Sequence, residues 1–194
     1  MQDLSKLEHE VKIISNKICM TKLPEIIIKE LDLWKMECDK IKNHPLGYLK
    51  NHENSGTEGN SYQVSVPSLL VEQSYWLPFT LRTCAKLFGG NSRDYHLQKW
   101  DGHFDGLDVW INYAYKDNYN PAHSHTGFVS GVIYYNNKND PTLFTDEKIE
   151  IKGDKGEMIL FDSGLEHCVK KQKLDYERIT FAFNIRRKDY HARS

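Results

Sequence analysis

The sequence predicts a mainly β domain, a jelly roll (double-stranded β-helix) supported by N-terminal helices. Three observations carry that expectation. Beyond Leu97 the chain breaks into short β-rich runs divided by Gly, Asn, Asp and Pro. These runs follow one another with no helical segment between them, which favours an antiparallel sandwich or barrel over an alternating α/β fold. Before Leu97, two segments instead carry apolar residues at three- and four-residue intervals, the helical period.

A chain of 194 residues suits a single domain over 1–194, with 1–96 as mainly helical support and loop and 97–188 as the jelly-roll core. Hydrophobic residues at 39% and charged residues at 27% describe an ordinary globular protein, and a formal net charge of −1 predicts no general attraction to nucleic acid or to acidic membranes. Cys19, Cys38, Cys84 and Cys168 are scattered without a C-x-x-C pair, so neither a zinc knuckle nor a disulfide framework is expected. Residues 1–17 do not resemble a signal peptide, and no apolar run approaches the roughly 20 residues that span a bilayer. A cytoplasmic location is therefore expected.

In chain order, residues 10–23 contain a first strand. Pro24 then opens a helix whose face carries Ile27, Ile28, Leu31, Trp34, Cys38 and Ile41, with Lys40 and Lys42 near its end. Residues 44–63 are rich in Asn, Gly, Ser and Glu and read as a loop, with His44 and His52 as solvated histidines. Ser65 or Ser68 can cap a second helix bearing Leu69, Leu70, Trp76, Leu77, Leu81, Cys84 and Leu87, with a kink or break at Pro78 and an end at Gly89-Gly90. Strands are expected over 107–115, 127–136, 142–145, 148–151, 157–161, 168–171 and 178–185.

The chemistry concentrates at Pro121-Ala122-His123-Ser124-His125. Residues two apart on an extended strand share a face, so His123 and His125 can aim two imidazoles at one point. Two convergent imidazoles invite a metal, and a third neutral ligand from another strand leaves open positions on it, an arrangement suited to non-haem Fe(II). His167, after the strand and turn 156–164, is the candidate for the third. The same three histidines would also serve a cupin-like protein or isomerase holding Zn, Ni or Mn, but such a site has no use for Arg178 on the following strand.

From about Leu107 to Arg186 the chain resembles the Fe(II)- and 2-oxoglutarate-dependent dioxygenases, in particular the prolyl-hydroxylase-like branch and small bacterial and phage oxygenases. The likeness rests on Tyr113, His123-Ser124-His125, the run Ser130 to Asn136, the strand 156–161, His167-Cys168-Val169 and the run Arg178 to Asn184. It implies that His123 and His167 ligate iron and that His125 stands where most of the family carries a carboxylate; were His125 not a ligand, water or a carboxylate such as Glu166 would fill the place. It further implies that Arg178 binds the far carboxylate of 2-oxoglutarate through a bidentate charge-assisted contact. Tyr134 or Tyr135 adds a hydrogen bond there, and alternation admits only one of them, with Tyr134 preferred and Ser130 on its face. Tyr113, Thr180 and Asn112 are further candidates for the cosubstrate pocket, and Asn112 and Asn184 for polar contacts near iron. The activity implied is hydroxylation, by O2, of an amino-acid or peptidyl substrate of prolyl type, with release of succinate and CO2. Residues 44–63 and 101–106 are expected to border the mouth.

Overall fold

The structure, a computed structural model, describes residues 10–43, 62–98, 109–138 and 140–189. The expectations placed on His44, His52 and residues 101–106, and on nearly all of the loop 44–63, lie outside these.

Eight strands of the C-terminal half divide between two sheets. They are β5 (Val109–Ala114), β6 (Asn120–His123), β7 (Val129–Asn136), β8 (Thr142–Phe144), β9 (Ile149–Ile151), β10 (Glu157–Asp162), β11 (His167–Val169) and β12 (Arg178–Arg187). The large sheet takes β10, β7, β12 and β5 side by side, and the small sheet runs β6-β11-β8-β9. The chain thus crosses from one sheet to the other at nearly every turn, and the pairings are antiparallel. The fold is mainly β, as the succession of short apolar runs requires.

The N-terminal half widens the large sheet. A hairpin of β1 (Val11–Ser15) and β2 (Ile18–Lys22) joins β10, β3 (Tyr62–Ser65) joins β5, and β4 (Tyr95–Leu97) lies beside the end of β12. Four short strands therefore escape the sequence reading or enlarge it: β3, β4 and β6, and the second strand of the hairpin. Each runs three to five residues and has polar or turn residues within it or directly beside it, such as Asn120-Pro121 at the start of β6, so no separate apolar run marks it.

Helices cover the outer face of the large sheet. α1 (Glu25–Asn43) buries Ile27, Leu31, Trp34 and Cys38, the stripe its sequence displays. Trp34 meets Trp76 edge-on at 5.4 Å and Phe181 at 6.0 Å, and Trp76 meets Phe183 at 4.8 Å, so aromatic edges lock both helices onto β12. Along β12 the odd positions Ile179, Phe181, Phe183 and Ile185 join this core. The even positions Arg178, Thr180, Ala182 and Asn184 consequently face the space between the sheets.

The second helical segment breaks earlier than Pro78. α2 (Ser68–Glu72) and α3 (Trp76–Phe88) are separated at residues 73–75, and Pro78 falls inside the first turn of α3, where its missing N–H costs nothing. The break is capped from a distance: the Glu30 carboxylate of α1 accepts from the Tyr75 N–H at 2.7 Å and the Trp76 N–H at 3.0 Å, and Ser74 Oγ accepts from the Leu77 N–H at 3.2 Å. Neither Ser65 nor Ser68 supplies the expected cap; Ser65 closes β3, and Pro67 precedes α2 without a side-chain bond. Gly89, at φ +79°, ends α3.

Candidate metal centre

His123 and His167 are direct partners across β6 and β11, so both project from the small sheet toward the large one. His125 lies two residues beyond His123, just past the strand end, where its backbone N–H donates to Ser163 O at 2.8 Å. The turn this bond fixes swings the third imidazole in beside the other two. One nitrogen from each ring lies within 4.8 Å of those from the others. Ring centroids are 5.0 Å apart for His123 and His125, 4.3 Å for His123 and His167, and 5.1 Å for His125 and His167.

The donor chemistry fits a divalent ion. His123 Nδ1 lies 2.8 Å from Pro121 O and His167 Nδ1 lies 3.0 Å from Leu165 O; a carbonyl can only accept, so both rings carry their proton on Nδ1 and leave the Nε2 lone pair for a ligand. Burial holds the His125 imidazole down to about 3, reinforced by the charges its two neighbours would carry. Burial likewise brings His167 down to about 4, against a bond to Leu165 O that works the other way. Both rings are thus neutral at physiological pH, the form a metal needs. Phe161 at 4.8 Å and Phe144 at 6.0 Å wall His167, which is 5% exposed.

Arg178 begins β12 on the same inner surface and is only 6% exposed. Burial pushes its guanidinium below the ordinary value, opposed by Tyr134, Tyr176 and Asp140 nearby. Its Nε donates to Asn137 Oδ1 at 3.3 Å, and among the described residues no carboxylate reaches it as an ion pair. Glu177, its neighbour in sequence, turns to the opposite face and pairs with Lys42 of α1 at 2.6 Å. Tyr176 donates instead to Asp140, which keeps that carboxylate engaged.

Between triad and guanidinium lies a polar floor. Tyr134 points inward and donates to Thr142 Oγ1 at 2.8 Å, also lying 3.2 Å from Ile151 O. Tyr135 points outward and donates to Asp32 of α1 at 2.6 Å. Thr180 stands opposite Tyr134, and Asn112 Nδ2 lies 3.4 Å from Thr180 Oγ1. Trp110, which the sequence reading passed over, donates from Nε1 to Asn112 Oδ1 at 3.1 Å, and its ring lies 6.2 Å from His125. Its place on the inner face was readable from strand alternation with Asn112, once that strand's facing was known.

Three expectations change. Tyr113 lies on the helix side of β5: its hydroxyl donates to Asp39 of α1 at 2.9 Å and Lys42 sits over its ring at 4.1 Å, so it is no part of a cosubstrate pocket. The physical reason is alternation, since Asn112 and Tyr113 cannot both face inward. Ser130 shares the inner face with Tyr134, but its hydroxyl is committed to Asn184 Oδ1 at 2.7 Å and Ser163 Oγ at 2.8 Å, below the turn that carries His125. It supports that turn instead of reaching toward Arg178. Glu166 accepts from Thr145 Oγ1 at 2.6 Å at the exposed edge, and among the described residues no carboxylate joins the triad.

Two antiparallel sheets clasping a histidine cluster define a recognisable class: the chain has the fold of 2-oxoglutarate- and Fe(II)-dependent oxygenases. A Pseudomonas putida prolyl-4-hydroxylase superposes with a TM-score of 0.59 at 13% identity, over 88% of this chain and 92% of that one. The viral collagen prolyl hydroxylase of Paramecium bursaria Chlorella virus-1, as its 2-oxoglutarate complex, gives 0.55 at 17% identity over 81% and 90%. HygX of Streptomyces hygroscopicus, with nickel and 2-oxoglutarate bound, gives 0.57 at 9% identity over 92% and 85%. No family model matches the sequence, and no curated protein matches it in sequence.

Proposed function

We propose that the protein is a cytoplasmic Fe(II)- and 2-oxoglutarate-dependent dioxygenase, a single double-stranded β-helix domain over 1–194. Its substrate is an amino-acid or peptidyl group of prolyl type. The observation that carries this reading is the pairing of a three-imidazole cluster with a buried guanidinium on one inner surface, the guanidinium forming no ion pair among the described residues. A metal site alone has no use for that cation; a dicarboxylate does. The prolyl assignment is supported by the two prolyl hydroxylases among the structural neighbours.

His123, His125 and His167 would hold the ion, and when bound it supplies, with 2-oxoglutarate and O2, the two-electron oxidation of a C–H bond as the cosubstrate is cleaved to succinate and CO2. The chain's own work is placement. Pro121 O and Leu165 O set the tautomers of two ligands. Arg178 binds the distal carboxylate, with Tyr134 donating to it once turned from Thr142. Thr180 and Asn112 line the path between. Phe144 and Phe161 keep water from the His167 side. No side chain is required as a general base.

The test is succinate formation from 2-oxoglutarate with Fe(II), without primary substrate, in air and anaerobically. Oxygen-dependent turnover that disappears in Arg178→Ala and His167→Ala is expected. A protein that binds metal but neither binds nor consumes 2-oxoglutarate would belong to the cupin-like class instead. Proline-containing peptides assayed for gain of one oxygen atom then test the substrate.

A further inference from the structure

The charges lining the interior bear on how such a site fills. All three donors are neutral imidazoles, and among the described residues no carboxylate joins them. The inner surface does hold one cation, Arg178, buried and without an ion-pair partner among the described residues. Arg178 and Ala182 share a face four residues apart on β12, and Ala182 lies opposite Trp110, which flanks His125. At about 3.3 Å per residue this puts the start of Arg178 roughly 13 Å along the strand from the triad, before its side chain reaches back. A divalent ion entering alone therefore adds two positive charges to an interior that already holds Arg178: among the described residues no carboxylate stands at the triad, and Asp140, the carboxylate whose charge acts on Arg178, is already engaged by Tyr176.

Resting on the function proposed above, we infer that the protein takes up its metal and its dicarboxylate as a pair, and that His125 is the residue responsible. A dianion spanning triad and guanidinium offsets both cations at once. A carboxylate at position 125 would instead neutralise part of the ion's charge in advance and allow the metal to stay without the cosubstrate. Metal occupancy in this chain is consequently set by cosubstrate supply: each ligand raises the affinity of the other by the same factor, as linkage requires.

The experiment is a binding titration with Mn(II), which is read directly from the electron paramagnetic resonance of the free ion and needs no turnover. It is run anaerobically with and without saturating 2-oxoglutarate, on the wild type and on two variants whose folding is checked by thermal melting. For the wild type, 2-oxoglutarate should lower the Mn(II) Kd by at least tenfold, within the roughly 5- to 150-fold range common for coupled sites. His125→Asp should bind Mn(II) more tightly without 2-oxoglutarate and show a coupling several-fold smaller. Arg178→Met, which removes the buried cation and leaves the three imidazoles intact, should also bind Mn(II) more tightly alone while losing most of the coupling. Wild-type Mn(II) affinity unchanged by 2-oxoglutarate that demonstrably binds would overturn the inference and leave the dioxygenase reading standing. Absence of 2-oxoglutarate binding in the presence of Mn(II) would overturn both.

Discussion

Gly153→Ala tests whether the inner position of Tyr134 matters for the cosubstrate. A Cβ at Gly153 would lie 1.9 Å from Tyr134 Cδ2 and 2.3 Å from Cε2, against an ordinary contact distance of about 3.4 Å. Both atoms belong to a ring that is fully buried, so the ring must move by roughly 1.5 Å or the backbone must part. Overpacking of this size costs about 1–3 kcal/mol. For a domain of 150–250 residues that corresponds to a fall in Tm of roughly 2–12 °C. The displaced ring also draws its hydroxyl from Thr142 and Ile151, on the side where Arg178 waits. Loss of one such hydrogen bond to the cosubstrate, worth about 0.5–1.5 kcal/mol, weakens 2-oxoglutarate binding by roughly two- to twelvefold. Calorimetric melting and isothermal titration with 2-oxoglutarate in the presence of Mn(II) measure the two effects. Tyr134→Phe separates them, because it should weaken binding without the steric cost, and Gly153→Ala placed in that background should weaken it little further. Unchanged melting and unchanged affinity in Gly153→Ala would refute the packing argument at its root.

The paired tyrosines offer a contrast: Tyr135→Phe, whose hydroxyl reaches Asp32 on the helix side, should leave 2-oxoglutarate affinity within about twofold of wild type, while Tyr134→Phe should not. Glu30→Ala removes the carboxylate that caps α3 from α1 and should cost about 0.5–2 kcal/mol, read as a lower midpoint in urea unfolding with an unchanged slope. Burial raises the Glu177 carboxyl, but the hydrogen bonds from Lys42 and Tyr115 and the Lys42 charge outweigh it and hold the group below its ordinary value. Its contribution to stability is therefore present above the unfolded carboxylate pKa and is lost as pH falls through the folded one. Glu177→Gln should flatten the acid limb of a stability-versus-pH curve there, and an unaltered limb would count against the pair. Trp76→Ala, emptying the space between Trp34 and Phe183, should destabilise by about 3–5 kcal/mol in the same urea assay.

What could be read from the chain, and what could not, divides by range. The α1 stripe Ile27, Leu31, Trp34, Cys38 is a local period, and the structure buries those four side chains. The seven apolar runs expected as strands in the C-terminal half likewise match β5, β7, β8, β9, β10, β11 and β12 to within a few residues where described. Tyr134 and Tyr135 had to face opposite ways on any strand. Which one faces inward depends on the register of β7 against β12 and on the helices that claim Tyr135, and no feature of Tyr-Tyr-Asn encodes that. Tyr113 was misplaced for the same reason, since a strand's alternation has two phases and only its neighbours choose between them.

The sequence by itself determined the residue types available for chemistry: an H-x-H pair, a distal histidine and an arginine, with turns and strands around them. Their local spacing keeps His123 and His125 close, because a single residue, Ser124, separates them. Only the tertiary structure decided that His167 joins them, since a cross-strand partnership between β6 and β11 spans 44 residues of chain. It alone buried Arg178, because a guanidinium at the start of a strand is exposed or enclosed according to what the opposite sheet puts over it. Local sequence specifies which groups can meet a ligand; the packing of two sheets specifies which of them do, and how dry the meeting place is.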